Sequence, residues 1–283
     1  MTGEGDRDAV GRARGALATA LGPAGARVAH VVAPLRAVAP LRADLRADPR
    51  LKYVLALGFA LAAFGVWFRV PNFAGPDEYS RLLHPMKPVG LVAGDPGFAA
   101  FRRGLLDGRA LGATFYLYAL VLAPVFVLVL ATGQLGAFTG LGGIESRWTL
   151  WHATPAWFWT ASVLLGRLVS VVLAVACVYL TYRLGVRLRD RLAGQVAALS
   201  LALSVGFLGQ AHVLGEDVPM LAALLATLLL AARYAETGST RAFLLGAFTG
   251  GLAIALKLSG GVGAVALGVA HVDRARRSDD PLD

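Results

Sequence analysis

Residues 192–215 read LAGQVAALSLALSVGFLGQAHVLG, a run of 24 residues without a charged side chain. A bilayer-spanning helix needs about 20 predominantly apolar residues, so this run is long enough to cross a membrane. Other uncharged runs precede and follow it, at residues 53–68, 110–144, 168–182, 218–232, 242–256 and 258–272. Their repetition predicts an all-α, polytopic integral membrane protein with about six to seven transmembrane helices.

The overall composition of the chain agrees with this class. Of its 283 residues, 57% are hydrophobic and 16% are charged, whereas an ordinary soluble domain is about 25% charged. Six or seven spans of roughly 20 residues each occupy about half of the chain, and the rest is divided among loops and tails. A large water-soluble catalytic domain is therefore excluded.

The net charge of +9 comes from arginines that are scattered between the apolar runs. A nucleic-acid-binding surface would need a basic stripe with interleaved aromatic residues, so a nucleic-acid partner is excluded. Basic loops mark the cytoplasmic side of a membrane protein. The Arg-rich segment 1–50 therefore predicts a polar cytoplasmic N-terminal tail, with an amphipathic piece at Val28–Leu45. A single cysteine, Cys177, excludes a disulfide framework and a CxxC metal pair.

The apolar runs predict the positions of the spans. The first is expected at Tyr53–Phe68, running from the inside to the outside, and begins a transmembrane module at 51–272. Arginine or lysine at the edge of a run can snorkel to the interface and lengthen the usable helix. The later spans are expected at Ala161–Tyr182, Leu192–Val213, Val218–Tyr234, Ala242–Leu258 and Gly260–Val272. Residues 273–283 then form a cytoplasmic tail or a truncation point.

The uncharged segment 110–144 decides the orientation of all that follows it. If it crosses the membrane, the basic turn 183–191 and the basic stretch 274–277 lie outside; if it does not, they lie inside with Arg233 and Arg241. At up to about 1 kcal/mol per charge, these nine arginines favour the second arrangement.

We therefore expect 110–144 to be a re-entrant or interfacial hairpin on the outer side, broken around Pro124 and Gly133. An extra crossing near Trp148–Trp159 would give the same orientation. With the hairpin, residues 71–159 approximate a long outer loop, and the protein is expected in the plasma membrane with its active face outside.

Two acidic pairs meet this outer face at helix ends. The first loop opens with Gly75-Pro76-Asp77-Glu78-Tyr79, and the turn after the long run reads Gly215-Glu216-Asp217-Val218-Pro219. Lys257 ends a span that returns to the same face, in a chain with only three lysines against 24 arginines. A polar cleft can form at such a face without burying charge in lipid.

Paired carboxylates and a cation at a membrane surface fit group transfer from a lipid phosphate. One carboxylate acts as general base on an acceptor hydroxyl while a cation steadies the phosphate that leaves. The candidate catalytic residues are Asp77, Glu78 and Asp217. The candidate substrate-binding residues are Glu216, Lys257, Arg81, Arg102 and Arg103. No cofactor is required, although the carboxylates could hold a divalent cation.

Simpler roles are open for each of these residues. Asp77 and Asp217 could cap the helices that begin beside them, and Lys257 could only snorkel. Arg81, Arg102, Arg103 and Arg109 could be ordinary headgroup contacts. His84, His152 and His212 share no ligand spacing, and Trp148, Trp151, Trp157 and Trp159 are spaced as an interfacial aromatic belt would be.

At these residues the chain resembles the GT-C membrane glycosyltransferases that use polyprenyl-phosphate sugars, in particular the group of protein O-mannosyltransferases and lipid A aminoarabinose transferases. The resemblance rests on Pro76-Asp77-Glu78-Tyr79, on Gly166-Arg167 and the basic turn after Tyr182, on Leu214-Gly215-Glu216-Asp217, and on the Gly-rich helix that ends at Lys257. It covers about 53–272 and implies the family's N-terminal module, with Asp77 as the acceptor-side catalytic carboxylate and Asp217 as a second essential acid.

The sequence therefore predicts an enzyme that moves a sugar, of hexosyl or mannosyl type, from a polyprenyl or dolichyl phosphate to an outer-face hydroxyl. The acceptor would be a protein, a glycan or a lipid, and membrane lipid is the surrounding partner. Two alternatives involve no catalysis: a carrier or transporter subunit for lipid-linked sugars, and a membrane scaffold whose outer acids are only helix caps.

Overall fold

The computed structural model describes residues 40–140 and 147–277. These residues form helices and connecting turns, without a strand in either described range. Residues 1–39 and 278–283 lie outside this part, and with them most of the predicted N-terminal tail, most of its amphipathic piece and the last residues of the C-terminal tail. Two compact units are present, Met1–Lys52 and Tyr53–Asp283.

The helices are numbered in chain order. They are α1 (40–47), α2 (Leu51–Ala63), α3 (Pro76–Gly94), α4 (Phe98–Asp107), α5 (Ala113–Ala131), α6 (Arg147–Ala153), α7 (Ala156–Leu188), α8 (Arg191–Ala202), α9 (Val205–Ala211), α10 (Asp217–Thr237), α11 (Thr240–Leu256) and α12 (Val262–Arg277). Two short 3₁₀ helices, Leu135–Phe138 and Leu258–Gly261, follow α5 and α11.

The protein is an all-α membrane protein. Among the described residues, α5, α7 and α10 are long and apolar enough to cross a bilayer, and α8 with α9 makes a fourth candidate if the two are taken together. Helices α2 and α11 are apolar but shorter. The class predicted from the sequence is confirmed, while three or four such helices are fewer than the six to seven expected.

The long run that begins at residue 192 is not one straight span. Helices α8 and α9 meet at an angle of 65°. The break lies at Leu203 and Ser204, where Ser204 takes an extended backbone conformation (φ −67°, ψ 118°) ahead of α9. Serine favours helix starts, and Gly206 and Gly209 weaken the helix that follows. The expected span Leu192–Val213 is therefore broken, and it counts as one span only if α8 and α9 are taken together.

The expected break at Pro124 is also wrong. Helix α5 continues through this proline for 19 residues, Ala113–Ala131. It ends at Thr132 and Gly133, and Gly133 has the positive φ of 68° that favours glycine. Pro124 removes one backbone hydrogen bond, yet the apolar contacts on both sides of it keep the helix whole.

The first hydrophobic core joins α3, α5 and the beginning of α7. Three phenylalanines form its centre, with ring centroids 4.9–5.5 Å apart: Phe126, Phe138 and Phe158. Trp159 packs edge-on against Phe158 and is only 2% exposed. The prediction of an aromatic belt is wrong for Trp159, because its ring fills this core; the side chain of Trp148 lies outside the described part.

A second core lies between α7 and α10. Val171, Ala174 and Cys177 of α7 face Val218 and Leu225 of α10. Because Val218 is the second residue of α10, this packing fixes the start of that helix against the middle of α7. Glu216 and Asp217, the two acidic residues just before Val218, are thereby held near the Arg167 region.

Candidate active site

Glu78 and Arg167 form a buried ion pair at the centre of the site. The Arg167 guanidinium donates from Nε to Glu78 Oε1 at 2.9 Å and from Nη2 to Oε2 at 2.8 Å. Both side chains are 1% exposed. This two-point geometry is the strongest arrangement of an arginine and a carboxylate, and a pair so deeply buried needs it to offset the loss of hydration.

The remaining polar atoms of this pair bind the surrounding backbone. Arg167 Nη1 donates to the carbonyl oxygens of Val66 at 2.8 Å and Phe68 at 2.7 Å. Glu78 accepts from the amides of Ala74 at 2.5 Å and Leu214 at 2.9 Å. The pair therefore joins the end of the first apolar segment, the start of α3, the middle of α7 and the turn that precedes α10.

Asp77 lies beside this pair but faces a different environment. Its side chain is exposed, and it lines a cavity of about 440 Å³. The same cavity is lined by Glu216, Asp217 and Lys257 from the other half of the chain. We call it the acidic cavity, because four acidic residues, Glu78 included, and one lysine line it.

Asp217 and Lys257 are ion-paired across the acidic cavity. Lys257 Nζ lies 2.6 Å from Asp217 Oδ1, and both side chains are partly exposed. Asp217 is the first residue of α10. Lys257 is the residue at which α11 ends, in an extended conformation. Two helix ends thus supply one pair of opposite charges.

A second, smaller cavity adjoins the first. It has a volume of about 230 Å³ and is lined by Arg81, His84 and Arg109, with Thr114 at its edge. Glu216 borders both cavities, and its carboxylate is ion-paired with Arg81. We call this the basic cavity. The Arg81–Glu216 pair marks the boundary between it and the acidic cavity.

The backbone around Arg109 places this residue at the basic cavity. Arg109 has a φ of 53°, a conformation that residues other than glycine rarely adopt. Such conformations persist where the surrounding structure fixes them, and they are concentrated at functional sites. Thr114, at the start of α5, donates from Oγ1 to the carbonyl oxygen of Leu256 at 3.1 Å and so ties this cavity to the end of α11.

The two histidines at these cavities are held in the neutral form. Burial, and then the charges of Arg109, Lys87 and Arg81, lower the pKa of His84 below its ordinary value of 6.5. His212 lines the acidic cavity, and burial and the charge of Arg167 lower its pKa, although Glu78 opposes this shift. Neutral imidazoles can both donate and accept hydrogen bonds.

An apolar groove of about 540 Å³ lies further along α3. Pro88, Val89 and Val92 form its wall on α3, and Phe126 and Leu130 form its wall on α5. Pro88 follows His84 by one turn, about 6 Å along the helix. The basic cavity and the apolar groove therefore follow one another along α3.

The structure brings together most of the residues predicted for the site. Asp77, Glu78, Glu216, Asp217 and Lys257 all line the acidic cavity, and Arg81 lines the basic cavity.

Two predicted binding residues lie elsewhere. Arg102 and Arg103 are exposed on α4 and line neither cavity, and Arg103 instead lies 3.5 Å from Asp107 of its own helix. His84 lines the basic cavity and Gln210 lines the acidic cavity, and neither is predicted from the sequence as a site residue. Neither carries a motif, and only the placement of α3 and α9 reveals them. In the described part of the chain, no three His, Cys, Asp or Glu residues are grouped as metal ligands would be.

The comparison with protein families gives a match that covers part of the candidate site. No curated protein and no solved structure matches the chain. Residues 147–278 match the family model described as dolichyl-phosphate-mannose-protein mannosyltransferase. This range contains Arg167, the turn with Glu216 and Asp217, and Lys257. The match confirms, for residues 147–278, the resemblance to GT-C membrane glycosyltransferases that the sequence indicates.

Proposed function

We propose that the protein transfers a sugar from a polyprenyl or dolichyl phosphate to an acceptor hydroxyl at the face that carries the two cavities. The observation that supports this most directly is the contact between an acidic and a basic cavity at the Arg81–Glu216 pair. A phosphate-linked sugar needs cations at its phosphate and a carboxylate at the attacking hydroxyl, on opposite sides of one bond.

Asp77 is the general base in this proposal. Its carboxylate takes the proton of the acceptor hydroxyl while the hydroxyl oxygen forms a bond to the anomeric carbon of the sugar. The bond between that carbon and the phosphate oxygen breaks, and the lipid phosphate leaves with the electron pair. Asp77 suits this role because it is exposed in the cavity and begins a helix that is held rigidly by its neighbour Glu78.

The phosphate lies in the basic cavity, next to Arg81 and Arg109, in this proposal. Lys257 is the third cation: residues 255 and 256 line the basic cavity while Lys257 lines the acidic one, so its ammonium group lies near their boundary. Asp217 orients Lys257 through their ion pair, and Glu216 orients Arg81. Both acids thus act by positioning a cation.

Glu78 has a positioning role in this proposal and is not a catalytic residue. Its carboxylate already accepts hydrogen bonds from Arg167 and two backbone amides, and it is almost fully buried. Arg102 and Arg103 lie away from both cavities, so they are surface residues that meet lipid headgroups.

The acceptor, a protein, glycan or lipid hydroxyl, approaches through the acidic cavity. We place this face on the outside of the plasma membrane, because the Arg-rich end lies opposite to it.

The test is transfer of a radiolabelled sugar from dolichyl phosphate mannose, first to water and then to candidate acceptors, by the full chain in liposomes. An Asp77→Asn variant is expected to lose at least about 100-fold in rate, because general-base catalysis contributes 10²–10⁴-fold. Asp95→Asn is the matched control, since Asp95 is exposed in the loop after α3 and lines neither cavity. Unchanged transfer by Asp77→Asn would disprove the proposed base.

A lipid-linked sugar carrier is the second candidate, and the break between α8 and α9 favours it. Interrupted helices at a polar cavity are common at the binding sites of transporters, and Gln210 of α9 lines the acidic cavity. The same experiment separates the two functions. A carrier binds the donor and moves it between leaflets, with no sugar released, and Asp77→Asn leaves that movement unchanged.

A further inference from the structure

A long apolar groove lies at the end of the helices opposite to the two cavities. It has a volume of about 850 Å³ and runs between α7, α10 and α12. Leu184, Leu228 and Val269 contribute to its walls, one from each helix. Asp273 and Arg276, both near the end of α12, are the charged residues that line it. The groove is therefore apolar along its length and polar at one end.

The length of this groove matches one leaflet of a membrane. Along α12 it extends from Ala266 to Arg276, and ten residue steps of α-helix rise by about 15 Å. The hydrocarbon core of a bilayer is about 30 Å thick, so one leaflet contributes about 15 Å. The polar end of the groove is then at the depth of the lipid headgroups.

The charge around the polar end is strongly positive. Among the residues that the structure describes, the ends of the helices there carry nine arginines against three acids, an excess of six positive charges: Arg183, Arg187, Arg189, Arg191, Arg233, Arg241, Arg274, Arg276 and Arg277 against Asp190, Glu236 and Asp273. Each of the three acids is already within ion-pair distance of an arginine, Arg189, Arg187 and Arg277 respectively. The net charge at this end is therefore positive, and Arg276, which lines the groove, contributes to it.

We propose that this groove binds an anionic phospholipid, with an acyl chain along the apolar wall and the phosphate at Arg276. The occupant is set by charge complementarity: basic pockets between membrane helices favour anionic headgroups, at about 1 kcal/mol per nearby basic residue. The site is separate from the acidic and basic cavities, and it does not depend on sugar transfer. The lipid fills the space between α7, α10 and α12 and stabilises their packing.

Gly268 offers a direct way to block the groove. It lines the groove, and no atom lies within 4 Å of the position that a Cβ would occupy, so a leucine can be accommodated there without a clash with the protein. Gly251 is the matched control: it is also exposed on an apolar helix and equally open, but it lies outside the groove. Arg276→Gln removes the charge at the polar end of the groove.

The measurement is native mass spectrometry of the full chain in micelles that contain equal amounts of phosphatidylglycerol and phosphatidylcholine. The unmodified chain is expected to retain phosphatidylglycerol at least about fivefold over phosphatidylcholine. Gly268→Leu lowers the retained lipid about tenfold, as expected if contacts of two methylene groups are lost. Arg276→Gln removes the preference, while Gly251→Leu leaves both quantities unchanged.

Three results would overturn the proposal. Equal retention of the two lipids by the unmodified chain shows that the groove does not select an anionic headgroup. Undiminished phosphatidylglycerol on Gly268→Leu shows that the lipid binds elsewhere. If the unmodified chain forms a dimer without bound lipid and Gly268→Leu does not, the groove is an interface between copies of the chain. Thermal melting of each variant in detergent shows that the variants are folded, so each result can be interpreted.

Discussion

At the scale of single residues, two adjacent acids have opposite environments. Asp77 is exposed in the acidic cavity, whereas Glu78 is 1% exposed and fully engaged by Arg167 and two amides. Glu78→Gln would leave the Arg167 charge buried without its counter-ion, which costs about 3–5 kcal/mol. We therefore expect a clear drop in melting temperature for Glu78→Gln in detergent, and no drop for Asp77→Asn. Equal melting temperatures would contradict the structural role of Glu78.

His84 predicts how the affinity for the donor depends on pH. Burial and three nearby cations lower its pKa, so it is neutral at pH 7. A phosphodiester in the basic cavity would favour the charged form and raise this pKa, so binding takes up a proton. Affinity for dolichyl phosphate mannose is then expected to rise as pH falls through the pKa of the bound state. Binding titrations between pH 5 and 8 test this, and His84→Gln should lose the dependence.

At the scale of helices, the crossing of α3 and α4 shapes the basic cavity and the apolar groove. A Cβ at Gly104 would lie 2.4 Å from the Cα of Pro88, closer than any side chain can approach a backbone. Gly104→Ala must therefore push α4 away from α3, at a cost of about 1–3 kcal/mol. We expect a lower melting temperature and weaker donor binding. Gly97→Ala is the control because its Cβ would meet nothing within 4 Å. Equal effects of the two substitutions would contradict the close packing of α4 on α3 at Gly104.

The same helices show what a sequence can predict and what it cannot. Apolar periodicity and runs of uncharged residues identified α7 and α10, and the acidic turns identified the cavity walls, because helix ends carry charge to the surface. The run at 192–213 concealed a break, since uncharged composition does not report the extended backbone at Ser204. The role of Glu78 was also hidden: its partner Arg167 is 89 residues away, and only the packing of α3 on α7 reveals the pair.

At the scale of the whole Tyr53–Asp283 unit, the length of α7 sets the position of the membrane. The helix has 33 residues, about 50 Å at 1.5 Å per residue, which exceeds the roughly 30 Å hydrocarbon core. The part from Arg167 to Leu188 spans about 32 Å and ends at the Arg-rich turn. We therefore expect the bilayer to lie between the cavities and this turn, with the beginning of α7 on the far side of the cavities.

Helix α5 packs against that beginning, so we expect it not to cross the membrane in spite of its apolar sequence. Its Tyr118 donates to the carbonyl oxygen of Gly215 at 2.9 Å, level with the acidic turn. At its other end, Gln134 accepts from Trp157, ten residues before Arg167 and hence about 15 Å further from the Arg-rich end. Both ends of α5 are thus on the cavity side, as the distribution of arginines also favours.

Single cysteines in a Cys177→Ala background test this topology in intact cells with an impermeant thiol reagent. Ser80, Gly136 and Gly215 lie on the cavity side and are expected to be labelled, whereas the exposed Leu188, at the Arg-rich end, is protected until the cells are permeabilised. A cysteine at Gly136 is sterically open, since its Cβ would meet nothing within 4 Å. Protection at Gly136 with labelling at Ser80 would show that α5 crosses the membrane. Protection at Gly215 with labelling at Leu188 would place the Arg-rich end outside. The acidic cavity would then lie on the inner side of the membrane, contrary to the proposed function.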